Sequence, residues 1–103
     1  MIRHLVALKF KPETTPEMKD ALYQDLAGLS ERLDGILDYQ SRVNVSVEDE
    51  VVRGFRDLFW FDFRDEGVRD AYLADKVHRA IGARIVAATE GGADGVFVCD
   101  FEL

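Results

Sequence analysis

The nine residues Phe55–Phe63 read FRDLFWFDF, and this stretch decides the fold. Side chains alternate between the two faces of a β-strand, so the phenylalanines at positions 55, 59, 61 and 63 share one face. Leu58 and Trp60 lie on the opposite face. Because a strand that is apolar on both faces needs a cover on both, the stretch predicts a central strand with packing partners on each side.

Three other segments have the residue pattern of strands. They are Ile2–Phe10, Ile36–Val47 and Val96–Leu103. The first segment is also apolar on both faces, since Leu5 and Ala7 oppose Val6 and Leu8. The second segment predicts one face made of Leu37, Tyr39, Val43, Val45 and Val47. The four strands therefore predict a sheet that is apolar on both sides.

Helices are predicted between the strands. Thr15 and Pro16 are a typical N-cap and first-turn pair. An apolar stripe with helical spacing follows, made of Met18, Leu22, Leu26, Leu29 and Leu33. Two more helical pieces are predicted at Asp65–Ala74 and Asp75–Thr89, and Glu48–Gly54 is predicted to be a charged turn. The order β-α-β-β-α-α-β predicts an α+β fold, a ferredoxin-like four-stranded antiparallel sheet with helices on one face.

Helices on one face leave the other apolar face uncovered, and the chain has no further helix to cover it. At 103 residues it is expected to be a single domain, residues 1–103. The simplest cover is a second copy, sheet against sheet, so we predict a homodimer. The alternative is a monomer whose open face is partly apolar and wet.

Composition excludes several classes of function. Thirteen basic and twenty acidic residues give a net charge of −7, so no nucleic-acid partner is expected. No apolar run approaches the roughly 20 residues that span a bilayer, and the first residues lack the pattern of an export signal. No membrane partner and a cytoplasmic location are therefore expected. Two histidines and one cysteine, Cys99, predict no metal site, and Cys99 is expected to be a small buried hydrophobe.

The segment Ala71–Ala80, AYLADKVHRA, contains the main candidates for chemistry. On one straight helix Tyr72 and His78 would point roughly 120° apart. Asp75 is a good N-cap, so a helix break there would let the two rings converge on one cleft. His78 lies beside the buried stripe of the second helix, next to Ile81 and Ile85. The alternatives have no chemical role: Tyr72 would only pack between helix and sheet, and His78 would be a partly exposed histidine on a helix.

His4 is the second candidate, because it shares its strand face with apolar residues. A buried imidazole needs a hydrogen-bond partner, or it costs about 1–3 kcal/mol. The pattern favours a core histidine with its hydrogen bonds satisfied, and a role in lining a pocket is the alternative.

The whole chain resembles the stress-responsive alpha/beta-barrel family, also called Dabb domains. The residues that carry the resemblance are Ile2–Lys9, Asn44–Glu48, Ala71–Ala80 and Val96–Glu102. The resemblance implies a ferredoxin-like subunit that pairs into a dimeric α/β barrel. It also shows a departure, since Asp75-Lys76 stands where many members have His-Pro.

A few members of that family look like polyketide cyclases, which close a linear poly-β-ketone by an aldol reaction without a cofactor. By that resemblance His78 would be the general base, Tyr72 would polarise the substrate carbonyl, and no cofactor is expected. The ligand would be a small apolar or polyketide-like molecule. The expected pocket residues are His4, Phe59, Trp60, Ile81 and Ile85. The alternatives are a non-catalytic stress-associated protein and an oxygen-dependent monooxygenase of the same barrel shape.

Overall fold

The fold is built on four strands. A computed structural model describes all of residues 1–103. The strands are β1 (Ile2–Leu8), β2 (Ile36–Val43), β3 (Asp57–Phe63) and β4 (Val96–Glu102). All neighbours are antiparallel, and the order across the sheet is β2-β3-β1-β4. This is the predicted ferredoxin-like sheet, with the aromatic strand β3 at an inner position.

Four helices connect the strands: α1 (Pro16–Arg32), α2 (Asp49–Val52), α3 (Glu66–Ala74) and α4 (Lys76–Ala88). Thr15 caps α1 through its side chain, as predicted. Asp65 caps α3 and Asp75 caps α4, so the predicted break between these two helices is confirmed. No helix is long and apolar enough to span a bilayer.

One face of the sheet, which we call the covered face, packs against α1, α3 and α4. Its centre is a row of aromatic rings in which Phe61 contacts Phe63, Tyr39 and Tyr72 at centroid distances of 5.7, 4.8 and 4.9 Å. Phe61 and Phe63 are fully buried. The alternation seen in the sequence therefore places the phenylalanines of β3 in the hydrophobic core, as predicted.

The second strand differs from its prediction. It ends at Val43 rather than Val47, and an irregularity between Ile36 and Asp38 shifts the register. A bulge inserts one residue, so Leu37 does not share the face of Tyr39 and is exposed. The predicted turn at 48–54 contains the short helix α2.

The opposite face of the sheet, which we call the open face, has no cover in a single chain. Its apolar residues are Leu5, Ala7, Leu58, Trp60, Phe97, Cys99 and Phe101. Phe97 is 56% exposed and Phe101 is 40% exposed. Cys99 is exposed as well, so its predicted burial is wrong for the single chain, because β4 is an edge strand with no element over this face.

Candidate functional site

The break between α3 and α4 brings two rings together. Tyr72 is in the last turn of α3, and His78 is in the first turn of α4. Asp75 ends one helix and caps the next, which turns the chain so that the ring centroids of Tyr72 and His78 lie 3.8 Å apart at an interplanar angle of 33°. The structure thus places both rings on one wall, as the helix break predicted.

The environment of His78 favours the neutral imidazole. Burial lowers the pKa of His78, and the nearby His4 lowers it further, while Asp75 and the backbone carbonyl of Tyr72 act in the opposite direction. Its Nδ1 atom is buried and has no hydrogen-bond partner. A neutral imidazole can accept a proton from a bound molecule near pH 7.

The environment of Tyr72 favours the protonated phenol. Tyr72 is 1% exposed, and burial is the main reason that its pKa is raised, followed by the charges of Tyr39 and Asp100. A phenol that stays protonated can donate a hydrogen bond to an oxygen that becomes negative during a reaction. Tyr72 therefore complements a neutral His78.

His4 faces the same rings from the other side. It is 4% exposed, and its ring lies 5.4 Å from that of Tyr72 in an edge-to-face arrangement. Its Nδ1 atom and Oδ1 of Asp100 on β4 lie 2.7 Å apart, and Oδ2 of Asp100 accepts a 3.5 Å hydrogen bond from Arg69. His4 is thus a buried histidine with a satisfied Nδ1, as the pattern favoured, and it is also beside the candidate site.

These side chains line one cleft, which we call the histidine cleft and define by His4, Tyr72, His78 and Asp100. Its volume is about 240 Å³, and Phe59 and Ile85 contribute to its apolar walls. The cleft lies between α4 and the edge strand β4, where Val98 and Leu73 are exposed, so it opens to the surface of a single chain. An apolar cleft with a few convergent polar groups is the usual form of a small-molecule site.

Two of the predicted pocket residues do not reach this cleft. Trp60 lies on the open face, where Arg3 and Arg42 pack over its ring at 5.3 and 5.5 Å. Ile81 is on α4, where it lines a groove against α1. Trp60 therefore does not fill the histidine cleft, and Ile81 supports α4 from its other side.

A larger hollow of about 530 Å³ lies at the edge of the open face, between Ala7, Phe97 and the segment 44–55. It contains no histidine or tyrosine. Volume alone favours this hollow, but the groups able to exchange or donate protons lie in the histidine cleft, which is therefore the better candidate for chemistry.

Asp100, the partner of His4, was not predicted from the sequence. The signal was present, because Asp100 is the one charged residue within the apolar run VFVCDF. Gly82, which the sequence placed next to His78, also lines the cleft and has no atom within 4 Å of the position that a Cβ would take. No group of three or more histidine, cysteine or acidic residues is arranged to hold a metal ion.

The family model for the stress responsive A/B barrel domain matches residues 2–103. No curated protein matches the chain. A dimeric ferredoxin-like protein of unknown function from Jannaschia sp. CCS1 is 28% identical, with a TM-score of 0.88 and 99% and 98% coverage of this chain and of that one.

Two enzymes share the fold at lower identity. A hydroxynitrile lyase from Passiflora edulis is 14% identical, with a TM-score of 0.82, and the match covers 99% of this chain and 92% of that one. An antibiotic biosynthesis monooxygenase is 16% identical, with a TM-score of 0.76 and 100% and 98% coverage. At these identities the likeness shows the fold alone.

Proposed function

Because the chain belongs to the stress responsive A/B barrel domain family, we propose that it forms a cytoplasmic homodimer that binds a small organic molecule in the histidine cleft. We propose further that the bound molecule carries a carbonyl group and undergoes cofactor-independent, aldol-type chemistry of the cyclase or lyase kind. The observation that carries the proposal is that the His78 ring, whose pKa burial lowers, lies 3.8 Å from the Tyr72 ring in the wall of the histidine cleft.

The size and lining of the cleft limit the ligand. Its volume of about 240 Å³ lies below the roughly 300–1,000 Å³ of sites that enclose drug-sized ligands. Val6, Phe59, Ile85 and Val98 make most of its walls apolar. These features favour a small, largely apolar molecule with one or two carbonyl groups over a sugar, a nucleotide or a polyanion.

The proposed reaction uses two groups of the chain. His78 removes a proton from a carbon next to a carbonyl, and the hydroxyl of Tyr72 donates a hydrogen bond to the oxygen as the enolate forms. The enolate carbon then bonds to a second carbonyl carbon of the same molecule, and the imidazolium returns its proton to the new alkoxide. One C–H bond and one carbonyl π bond break, one C–C bond and one O–H bond form, and no electrons are gained or lost.

A second copy supports this function by covering the open face. The exposed apolar residues Phe97, Cys99 and Phe101 need a partner, and the Jannaschia protein, 28% identical, is described as dimeric. Sedimentation at micromolar concentration should give a mass twice the 11.7 kDa of one chain. A single species of 11.7 kDa would contradict the dimer.

The catalytic proposal can be tested with phenylacetone, a small aromatic ketone whose methylene protons exchange with solvent after base abstraction. In D₂O the wild-type protein should accelerate this exchange, as followed by ¹H NMR. His78→Gln should lose on the order of 10²–10⁴-fold of the acceleration, a typical contribution of a general base. Tyr72→Phe should also be slower, because the enolate loses its donor.

A pair of glycine variants separates binding from folding. Gly82 lines the cleft and Gly28 lies on the outer groove of α1, and a Cβ at either position meets no atom within 4 Å. Gly82→Leu should fill the cleft and abolish exchange, while Gly28→Leu should leave it unchanged. Both variants should fold, because leucine has a higher helix propensity than glycine.

Mass spectrometry of molecules that co-purify with the native protein would identify the ligand class. The alternative is a non-catalytic binding protein. It would be favoured if the wild-type protein binds phenylacetone and Gly82→Leu does not, while the wild-type protein exchanges the methylene protons no faster than buffer does. Exchange that survives in His78→Gln would refute the role of His78.

A further inference from the structure

The carboxylate of Asp75 lies at the junction of α3 and α4 and makes three contacts. Its Oδ2 accepts hydrogen bonds from the backbone N–H groups of Val77 and His78, at 3.1 and 3.0 Å. Its Oδ1 accepts a 2.9 Å hydrogen bond from Nε of Arg32. The side chain of Asp75 is only 8% exposed, so this carboxylate is held from two sides.

Arg32 connects the junction to a third helix. It is the last residue of α1, and α1 packs against α4 on the covered side of the sheet. The Arg32–Asp75 ion pair therefore ties the end of α1 to the turn that starts α4. No other ion pair reaches this junction.

The position of the junction decides where the ring of His78 lies. His78 is three residues after the cap, and its ring centroid lies 3.8 Å from that of Tyr72, which belongs to the preceding helix, at an interplanar angle of 33°. A change in the angle between α3 and α4 would move one ring relative to the other. We propose that Arg32 and Asp75 are positioning residues that fix this angle and so hold His78 against Tyr72.

Asp75 also acts on His78 through its charge. The groups that face the His78 ring are His4 from β1, Tyr72 from α3, Asp75 from the junction and Asp100 from β4 across the cleft. Among them Asp75 raises the pKa of His78, opposing burial and His4. The effect of Arg32 and Asp75 on the rate of proton transfer rests on the proposed function. Their effect on the position of the His78 ring does not depend on that function.

The chain offers a matched control for the ion pair. Arg84 of α4 and Asp25 of α1 form another ion pair between the same two helices, with Nη1 and Oδ2 2.6 Å apart. It lies about two turns further along α4 from the junction. Both arginines are about half exposed, but Asp75 is nearly buried while Asp25 is half exposed. Arg32→Gln should therefore cost more stability than Arg84→Gln, and the two variants are compared under conditions in which both are folded.

The test is ¹H–¹⁵N NMR of the His78 ring in the unliganded protein. In Arg32→Gln the His78 ring protons should lose part of the ring-current shift that stacking on Tyr72 produces. Asp75→Asn keeps an N-cap acceptor, so α4 should remain capped, but it removes the charge and should lower the titration midpoint of His78. Arg84→Gln should leave both the shifts and the midpoint as in the wild-type protein.

Turnover gives a second readout. With phenylacetone exchange as the probe, Arg32→Gln should reduce the maximal rate on the order of tenfold with little change in the concentration for half-maximal rate, because a misplaced base slows the proton transfer. The double variant Arg32→Gln/Asp75→Asn should lower the maximal rate by less than the product of the two single reductions, because both substitutions remove the same ion pair.

The inference is overturned if Arg32→Gln and Asp75→Asn change the His78 signals no more than Arg84→Gln does. Altered His78 signals in a protein that catalyses no exchange would uphold the positioning role and refute the proposed reaction. The two proposals therefore fail in different ways.

Discussion

The two faces of the sheet use similar apolar residues for different purposes. On the covered face, helices seal the rings of β3, and the same layer contains His4, Tyr39 and Tyr72 among the phenylalanines. On the open face, Trp60 lies between two arginines, and Phe97 and Phe101 remain exposed on the edge strand. One face thus combines apolar packing with groups able to exchange protons, and the other is an apolar surface.

The difference separates the proposed interface from the candidate site. A polar group in the covered layer needs a partner, and Asp100 supplies one for His4 while Nδ1 of His78 has none. On the open face the charged groups pair with each other, since Arg3 donates two hydrogen bonds to Asp62 at 2.8 and 3.0 Å. Three other buried side-chain atoms also have no partner: the hydroxyls of Tyr23 and Tyr39, and Nε1 of Trp60. His78 is the one of these four residues that lines the histidine cleft, and the exposed apolar residues lie on the proposed interface.

The largest expected effect is on the covered face. Phe61→Ala should destabilise the fold by about 3–5 kcal/mol, because it removes a fully buried ring from the aromatic row. Urea unfolding measures the change, and Phe97→Ala on the open face is the comparison. If Phe97→Ala lowered the free energy of unfolding of the dissociated chain as much as Phe61→Ala does, the open face would contribute to the fold as much as the covered face.

A large effect on assembly is expected from Phe97→Asp. A two-fold interface contains each residue twice, so the charge should raise the dissociation constant of the dimer by roughly a hundredfold. Sedimentation at several concentrations measures this change. Met18→Asp, at an exposed site in the first turn of α1, should leave the dimer intact. If Phe97→Asp and Met18→Asp changed the dissociation constant of the dimer equally little, the open face would not be the interface.

The sequence predicted whatever depends on local spacing. The alternation in β1 and β3 predicted the core, and the cap at Asp75 predicted the break that brings Tyr72 to His78. It did not predict the pairing of His4 with Asp100, because 96 residues separate them and only the register of β1 against β4 makes them neighbours. Hydrophobic alternation determines the face of each side chain, but a shift of the register by two residues keeps every face, so alternation does not determine which residue of β4 lies opposite His4.

The β2 bulge and the ion pair of Arg32 escaped prediction for related reasons. A strict alternation was assumed through Leu37, but one inserted residue reverses the face of everything that precedes it. Arg32 and Asp75 are 43 residues apart, and many acidic side chains could have been the partner of either. Trp60 was assigned to the pocket by residue type, although its position in the alternation already placed it opposite Phe59 and Phe61.

A moderate effect is expected from Asp100→Asn. Hydrogen bonds to charged groups contribute about 1.5–3 kcal/mol, and asparagine can restore part of that, so the loss should be about 1–2 kcal/mol. The His4 ring should also lose its fixed tautomer, which ¹⁵N chemical shifts of the ring report. Glu102→Gln is the control, because Glu102 lies on the same face of β4 and makes no ion pair. Equal losses in the two variants would show that the His4–Asp100 contact contributes nothing specific.

The smallest expected effect is the dependence of stability on pH that His78 contributes. Because burial and His4 lower its pKa in the folded protein, the folded state resists protonation more than the unfolded chain, whose histidine titrates near 6.5. The unfolded state then binds more protons, so stability rises with pH in this range. Its contribution is fully present above about pH 6.5 and is lost as the pH falls through the lowered pKa. The difference in unfolding free energy between the wild-type protein and His78→Gln should therefore change below pH 6.5 and stay constant above it. A difference that is constant from pH 5 to 8 would show that the imidazole titrates as in an unfolded chain, and that neither burial nor His4 lowers its pKa in the histidine cleft.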